Sequence, residues 1–294
     1  MRRLLVALLL WVPCALFAQT AARWTKILPS ATVQLRDPRC VSVSPEGLIY
    51  IADTGHHRVV AVDTTGRLVA ETGGLGNAHG QFRWARAIIA DRGNAVWVLD
   101  YGNRRIERFT RSLEYQGTFT ITLPNDDTPH QPEAMAMSPQ SDLYIYDRDA
   151  GRLVRYDPLF SAQAEIGSGG GSQFVTNVAS IACVSAHGLF WWERGSNEIR
   201  HADGLLNPAA PLRLGAAPED LRLAPADSCL LYATPAGIFR QCLQAAPSDT
   251  LFSLAELSAA GVTHIAGLAM VPDHVLYVLD GGTAAVYRVN LLRE

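Results

Sequence analysis

Short apolar segments alternate with polar turns along the chain, and several of the segments end in an acidic residue. LIYIAD, VWVLD, LYIYD, LFWWE and LYVLD end at Asp53, Asp100, Asp147, Glu193 and Asp280. The first three intervals are 47, 47 and 46 residues, and the last, of 87, leaves room for one more copy, which LLYAT supplies at Thr234. We call these six residues the marker positions. Such a period with strand-like composition predicts six blades of a β-propeller.

An arginine follows each of the first three markers at a spacing of five residues. The pairs are Asp53 with Arg58, Asp100 with Arg105, and Asp147 with Arg152. Across a tight hairpin this spacing lets the guanidinium reach the carboxylate and nearby turn carbonyls. Recurrence in three repeats favours a structural brace over a ligand contact, because a binding site is usually unique. In the fourth repeat Glu193 would face Glu198, so we expect this brace to be missing there.

The sequence around these segments resembles the NHL repeat. GGLGNAHGQF, then an apolar strand and VWVLDYGNRRIERF, is similar to a full NHL unit. DPRCVSVSPEGLIYIADTGHHRVVAVD is close to it, with Cys40 where the family usually has Gly. The resemblance is strong over residues 37–170, weaker over 171–215 and 258–294, and marginal over 216–257. It implies a six-bladed β-propeller, the number of blades that the spacing also gives.

We therefore predict an all-β fold, a six-bladed β-propeller of four-stranded antiparallel blades, over residues 19–294. The last repeat ends after its third strand, and WTKIL at 24–28 precedes the first repeat where a fourth strand is needed. This N-terminal strand should close the ring, because open strand edges invite pairing with another chain. The blades are expected at about residues 37–74, 82–122, 131–170, 174–215, 217–257, and 263–294 with 24–28.

The first 18 residues have the order of a secretory signal peptide. Arg2 and Arg3 precede an apolar run at 4–17, and Ala18 ends it before polar residues. The run is shorter than the ~20 residues of a membrane-spanning helix, although an uncleaved anchor is the alternative. Cleavage predicts a secreted or periplasmic protein, and we expect no later segment to cross a bilayer.

Composition narrows the classes of function. The chain has 294 residues, 48% of them hydrophobic and 18% charged, with a formal net charge of -3, which is typical of a folded protein rather than a disordered polyelectrolyte. Lys26 is the single lysine, so Schiff-base chemistry and a phosphate-binding P-loop have no other candidate. We expect no nucleic-acid partner, because such binding relies on clustered basic residues, and we expect a monomer.

Four cysteines follow the predicted signal peptide. Cys229 and Cys242 flank a strand pattern that is interrupted at 234–237, and a hairpin centred on that turn would place them opposite each other. Directly paired Cβ atoms lie about 4.5–5.5 Å apart, close to disulfide reach. We predict that disulfide, and we expect Cys40 and Cys183 to remain buried thiols. A metal site is the alternative, but no C-x-x-C spacing occurs.

Candidate binding residues lie where the innermost strands begin, at one end of the central channel, which we call the channel mouth. The positions fourteen residues before the markers hold Arg39, Arg86, Glu133, Ala179, Glu219 or Asp220, and Ala266. Two arginines in adjacent blades and carboxylates in blades three and five would give the mouth a positive and a negative side. Such a mouth suits an anionic or zwitterionic small ligand or a peptide end. The alternative is a ring of solvated charges that satisfy one another.

Histidines offer a weaker metal hypothesis. His130 and His264 come just ahead of inner strands, and with Glu133 they could hold zinc or calcium, but a third histidine is missing from the equivalent positions. The run Asn125, Asp126 and Asp127 lacks the spacing of a calcium loop. No G-x-S-x-G nucleophile motif occurs. Trp191 and Trp192 alternate across one strand, so we expect one ring between blades and the other facing a groove.

We therefore expect a non-enzymatic scaffold that binds a protein, peptide or glycan, and no cofactor. The alternative is a metal-dependent propeller enzyme of the lactonase or peptidylamidoglycolate-lyase type. The resemblance allows it, since NHL-like folds carry the second activity, but it transfers the frame and not a three-histidine site.

Overall fold

The computed structural model describes residues 24–121, 129–167, 175–185, 187–243, 248–271 and 275–291. The predicted signal peptide at 1–18 and the run at 125–127 lie outside the described residues. Within them, no helix is long and apolar enough to cross a membrane.

The described residues form six four-stranded antiparallel sheets, which are the blades of a propeller. The strands of each blade are given from the innermost to the outermost. Blade one contains β2 (Cys40–Val43), β3 (Ile49–Asp53), β4 (Arg58–Val62) and β5 (Leu68–Gly73), and blade two contains β6 (Ala85–Ala90), β7 (Ala95–Asp100), β8 (Arg105–Thr110) and β9 (Tyr115–Phe119). Blade three contains β10 (Pro132–Met137), β11 (Leu143–Asp147), β12 (Arg152–Tyr156) and β13 (Ala162–Ile166).

Blades four to six complete the circle. Blade four contains β14 (Val178–Val184), β15 (Gly188–Glu193), β16 (Glu198–Ala202) and β17 (Pro208–Arg213). Blade five contains β18 (Arg222–Ala226), β19 (Cys229–Thr234), β20 (Gly237–Cys242) and β21 (Asp249–Ser253). Blade six contains β22 (Ile265–Val271), β23 (Val275–Asp280), β24 (Ala285–Asn290) and β1 (Trp24–Leu28). Each inner strand contacts the inner strand of the next blade, and β22 returns to β2. The predicted six-bladed all-β fold is confirmed.

The N-terminal strand closes the ring as the outermost strand of blade six. In β1, Trp24 pairs with Val289 and Leu28 with Val286 of β24. Leu28 is fully buried, and the Trp24 ring lies 4.9 Å from that of Phe252 in blade five. The first strand of the described chain thus joins the last repeat to its neighbour.

One α-helix occurs among the described residues, α1 (Leu254–Ala260), between blades five and six. The Ser253 side chain accepts the Glu256 N–H while the Glu256 carboxylate accepts the Ser253 N–H, a capping box, and Gly261 ends the helix at φ 82°.

The second strand of each blade is buried on both faces, because a neighbouring blade packs on either side. The strand β15 illustrates this: Trp191 belongs to a core between blades three and four, and Trp192 to a core between blades four and five. The expectation that one of these rings faces a groove is wrong, since both are buried. Continuous apolar second strands therefore supply the cores between blades.

Blade five carries the predicted disulfide. Cys229 and Cys242 are directly opposite in the β19–β20 ladder, with Cα atoms 4.1 Å apart, and their sulfurs are bonded. Cys183 is a buried free thiol, and Cys40 is free but partly exposed rather than buried.

Candidate functional site

The three marker carboxylates that precede arginines are fully buried and ion-paired. The carboxylate-to-Nε distances are 2.8 Å for Asp53 and Arg58, 3.0 Å for Asp100 and Arg105, and 3.1 Å for Asp147 and Arg152. Each carboxylate also accepts hydrogen bonds from elsewhere in its blade, such as the Arg36 N–H on Asp53 and the Arg83 N–H on Asp100. These pairs connect strands within a blade, away from the channel mouth.

Blade four uses a different ion pair at its marker. Arg200 Nε lies 3.3 Å from Glu193 Oε1, and the indole N–H of Trp191 donates to the same oxygen at 3.2 Å. Glu198 pairs instead with Arg213 at 3.2 Å. The two glutamates are therefore each neutralised by another arginine rather than left facing each other.

The channel mouth is a cavity of about 130 Å³ whose lining is rich in arginine. Arg39, Arg86, Arg194 and Arg222 line it, and Glu133 is the single carboxylate among the described residues of that lining. A concave site with this excess of guanidinium groups attracts anions. Three of the residues expected at the mouth, Arg39, Arg86 and Glu133, lie there together.

A β-bulge sets the direction of the side chains at this position. The ladder skips Arg86 between Ala85 and Ala87, and it skips Glu133 between Pro132 and Ala134. The extra residue of a bulge is unpaired, which turns its side chain away from the regular pleat. The same irregularity recurs in blades four and six at Ala179 and Ala266, so the mouth position is a property of the repeat.

Glu133 is held by two arginines. Arg86 Nη2 lies 3.0 Å from Glu133 Oε1, and Arg148 Nε lies 3.7 Å from Oε2. The Arg86 guanidinium also lies over the Tyr101 ring, 4.6 Å from its centroid, and Arg148 donates to the Tyr101 hydroxyl at 2.7 Å. The charges of Tyr101 and Glu133 raise the pKa of Arg148. These contacts fix the orientation of the guanidinium groups before any ligand binds.

Blade five differs from the sequence-based expectation. Glu219 and Asp220 were expected at the mouth, but neither lines it; Arg222 does. Arg222 pairs with Ala233 eleven positions later, whereas Cys40 in blade one pairs with Ala52 twelve positions later. Counting back from the marker therefore overshoots, because the first hairpin of this blade is shorter.

The two carboxylates of blade five lie elsewhere. Asp220 sits beside a separate cavity between blades five and six, where its carboxylate binds Arg222 Nη1 at 3.0 Å. Glu219 is exposed. The mouth consequently has no negative side in blade five.

The arginines of the mouth lie close enough to repel one another. Burial lowers the pKa of Arg222, the nearby Asp220 opposes this, and the positive charges of Arg194 and Arg39 lower the pKa further. Arg39 has an exposed partner, Asp37, at 3.1 Å. Arg194 is exposed, and no carboxylate among the described residues forms an ion pair with it. An anion placed between these groups would relieve their repulsion.

A second repeat position at the mouth was missed from the sequence. The residue directly after the marker is Tyr101 in blade two, Arg148 in blade three and Arg194 in blade four. All three line a groove that shares Arg86, Glu133 and Arg194 with the mouth cavity. The aligned repeats contain this signal, one residue after each marker.

The two histidines proposed as metal ligands have other partners. His130 Nδ1 lies 3.0 Å from Asp147 Oδ2, which makes it a contact of the blade-three brace. His264 is half exposed, with Nε2 3.8 Å from Asp220. Glu133 is bound by Arg86. The described residues contain no group of three His, Cys, Asp or Glu side chains that could hold a metal ion, so these residues do not fit a zinc or calcium site.

Solved structures with the same fold include proteins of different function. They are a streptogramin B lyase (TM-score 0.62, 11% identity, 92% of this chain and 97% of that chain covered), the WD40 repeats of RRP9 (0.64, 14%, 92% and 98%) and the PQQ-bound aldose sugar dehydrogenase of Streptomyces coelicolor (0.58, 16%, 92% and 98%). At these identities the likeness shows the fold alone.

Sequence comparison identifies one repeat directly. No curated protein sequence matches the chain. The family model of the NHL repeat matches residues 35–62, which contain the first three strands of blade one. The chain is therefore a six-bladed β-propeller that carries an NHL repeat.

Proposed function

We propose that this protein is a non-enzymatic binding propeller whose channel mouth holds an anionic group of a protein, peptide or glycan ligand. The observation that carries the proposal is the cluster of Arg39, Arg86, Arg194 and Arg222 around one cavity with a single carboxylate in the described lining. Guanidinium groups bind carboxylates, sulfates and phosphates through paired N–H donors.

Preorganisation supports binding at this place. Arg86 is stacked on Tyr101 and paired with Glu133, and Arg222 Nε donates to the Ala266 carbonyl at 3.1 Å. Side chains that are already ordered lose little conformational entropy when a ligand arrives. Glu133 is paired with Arg86 and Arg148, so the ligand groups that fit the mouth are anionic, such as a peptide carboxyl terminus.

The enzymatic alternative has less support. The lactonase or lyase hypothesis needs a metal near His130, Glu133 and His264, and these side chains are engaged with Asp147, Arg86 and Asp220. Lyase, dehydrogenase and WD40 propellers all share the fold, so architecture does not select among activities. Elemental analysis of the purified protein tests this point: stoichiometric zinc or calcium would contradict the non-enzymatic proposal.

Binding of matched probe pairs tests the mouth. Calorimetry would compare glucuronate with glucose, and a short peptide with a free carboxyl terminus with its amidated form. We expect the anionic member of each pair to bind. The double variant Arg39→Ala/Arg86→Ala should lower its affinity at least tenfold, since a hydrogen bond to a charged group contributes about 1.5–3 kcal/mol.

Arg92→Ala is the matched control, because Arg92 is an exposed arginine that lines the channel away from the mouth. Equal affinity of the double variant and the wild type would move the binding site away from the mouth.

The cellular location is part of the same proposal. We propose a secreted or periplasmic protein that acts as a monomer. The Cys229–Cys242 disulfide supports an oxidising compartment. Mass spectrometry of the protein exported by its native cell tests the location, and a mature protein that still begins at Met1 would contradict signal cleavage.

A further inference from the structure

The mouth opens into the interior of the ring. A second cavity, of about 300 Å³, is lined by residues from the inner strands of all six blades, which identifies it as the central channel. Six residues line both cavities: Cys40, Val41, Met135, Ile181, Leu223 and Leu268. The arginine-lined mouth and the channel are therefore adjoining parts of one passage.

Most side chains that line the channel below the mouth are apolar, and backbone groups contribute polar surface between them. These backbone groups are partly satisfied by side chains that bridge neighbouring inner strands. Ser42 Oγ, for example, accepts the Ala90 N–H at 2.9 Å. Partly exposed Val43, Ile89, Met137 and Met270 provide apolar surface between the two ends. Such a wall favours contact with an apolar group over contact with a charged one.

The charges of the channel differ at its two ends. Among the described residues that line the 300 Å³ cavity, the charged side chains are Asp91, Arg92 and Asp227, which follow the inner strands at the end opposite the mouth. Two carboxylates and one arginine at that end, against four arginines and one carboxylate at the mouth, make the mouth the positive end of the passage. An anionic group is favoured at the mouth only, so a ligand that enters must place its neutral part inside.

We propose that the ligand is an anionic amphiphile, with its charged head among the arginines of the mouth and an unbranched apolar chain in the channel. This inference rests on the anion-binding mouth of the proposed function, and it names an amphiphile, instead of a protein, peptide or glycan, as the ligand. A water and a methylene occupy similar volumes, so a cavity of this size holds a chain of about eight to ten carbons. The head is a carboxylate or a phosphate, since both match guanidinium donors.

A chain-length series tests the inference on the unmodified protein. Calorimetry with butyrate, hexanoate, octanoate and decanoate is expected to show an affinity that rises about fourfold per methylene until the channel is filled. Octyl phosphate beside octanoate distinguishes the two head groups. Affinity that is the same for all four acids would overturn the inference.

Two variants test the binding of the charged head and of the apolar chain separately. Ala269→Leu narrows the channel below the mouth and should weaken octanoate at least tenfold while leaving butyrate unchanged. Ala210→Leu is the matched control, an exposed position on the outer strand β17. The double variant Arg39→Ala/Arg86→Ala should lower the affinity for all four acids by the same factor.

The outcomes distinguish the two proposals. If every acid binds equally and the arginine variant weakens them all, the mouth binds anions and the amphiphile inference is wrong. If no alkyl acid or phosphate binds while glucuronate or the peptide with a free carboxyl terminus does, the amphiphile inference is wrong and the proposed function stands. If none of these anions binds, both proposals are wrong.

Discussion

Asp100 Oδ2 and Arg105 Nε lie 3.0 Å apart inside blade two, and the Arg105 guanidinium also binds the carbonyls of Asn77, Ala78 and Gln81. Glu107, on the same strand, lies 3.2 Å from it. One buried arginine thus joins the marker carboxylate, a second buried carboxylate and the loop that leads into the inner strand.

Removing this arginine should destabilise the protein more than removing its counterpart in blade one. Arg105→Ala leaves the buried Asp100 carboxylate without its cation and three loop carbonyls without their donor, a loss of about 3–5 kcal/mol. The Arg58 side chain is 26% exposed and Asp53 keeps His56 at 2.9 Å, so Arg58→Ala should cost about 1.5–3 kcal/mol. Urea unfolding measures both.

The exposed Arg108 on the same strand, over the Trp97 ring, is the control for Arg105, and Arg108→Ala should cost about 1 kcal/mol or less. Equal costs for Arg105→Ala and Arg108→Ala would contradict the structural role of the brace.

Stability should decrease with pH in a window set by Glu107. Burial raises the pKa of this fully buried carboxyl to about 7, from an ordinary value of 4.5, with Arg105 and the Gly80 N–H opposing the rise. The folded protein therefore keeps a proton that the unfolded chain releases. The resulting stability is fully present below pH 4.5 and is lost as the pH rises through 7, by on the order of 2 kcal/mol.

Glu107→Gln should flatten the pH dependence of the free energy of unfolding between pH 4.5 and 7. Glu114→Gln, at an exposed position of the same blade, should leave it unchanged. Urea unfolding at several pH values measures the slope, and an identical slope in the wild type and Glu107→Gln would show that this group does not titrate in the window.

The disulfide should stabilise blade five. It joins residues 13 apart in sequence, and closing a loop of that size in the unfolded chain is worth about 3 kcal/mol. Cys229→Ala/Cys242→Ala should therefore lower the urea midpoint. A reducing agent should lower the midpoint of the wild type and not that of the variant; a wild-type midpoint that is insensitive to reduction would contradict this.

Ring closure should depend on strand β1. Leu28 is fully buried between blades six and one, so Leu28→Ala should cost about 2–5 kcal/mol. Thr25→Ala, on the exposed face of the same strand, should cost less than about 0.5 kcal/mol. Deleting residues 19–30 should lower the melting temperature strongly, and an unchanged value would contradict closure by this strand.

The fold could be predicted from the sequence because every blade of a propeller repeats the same local structure. Each blade needs a second strand that is apolar on both faces and a hairpin of nearly constant length, and both recur at the markers. The closing strand and the disulfide followed from the same register, one from a missing fourth strand and the other from the symmetry of a hairpin. The disulfide joins residues that are near one another in sequence, whereas β1 pairs with β24 at the other end of the chain and was found only because the last repeat lacks a strand.

The residues that line the mouth could not all be predicted by counting back from the markers, because they also depend on hairpin lengths and on turns. Counting from Asp53, Asp100 and Asp147 found Arg39, Arg86 and Glu133, because their hairpins have the common length. In blade five a hairpin that is one residue shorter moves the equivalent position to Leu221, and Arg222 reaches the mouth from the next position of the strand. Arg194 reaches the mouth from the turn after the marker, a position that counting back to the inner strand does not include.

The sequence by itself determined the number of blades, the strand that closes them and the cysteines that pair, since the repeat fixes how many strands each blade needs and where its hairpins turn. Only the tertiary structure decided that the mouth is predominantly positive, that it continues into a channel lined mostly by apolar side chains, and that His130 and His264 are engaged elsewhere. The physical reason is that no single segment of the sequence forms the channel. Six inner strands, each about 46 residues from the next, contribute one edge each, so the charge and shape of the passage are set only when the ring has folded.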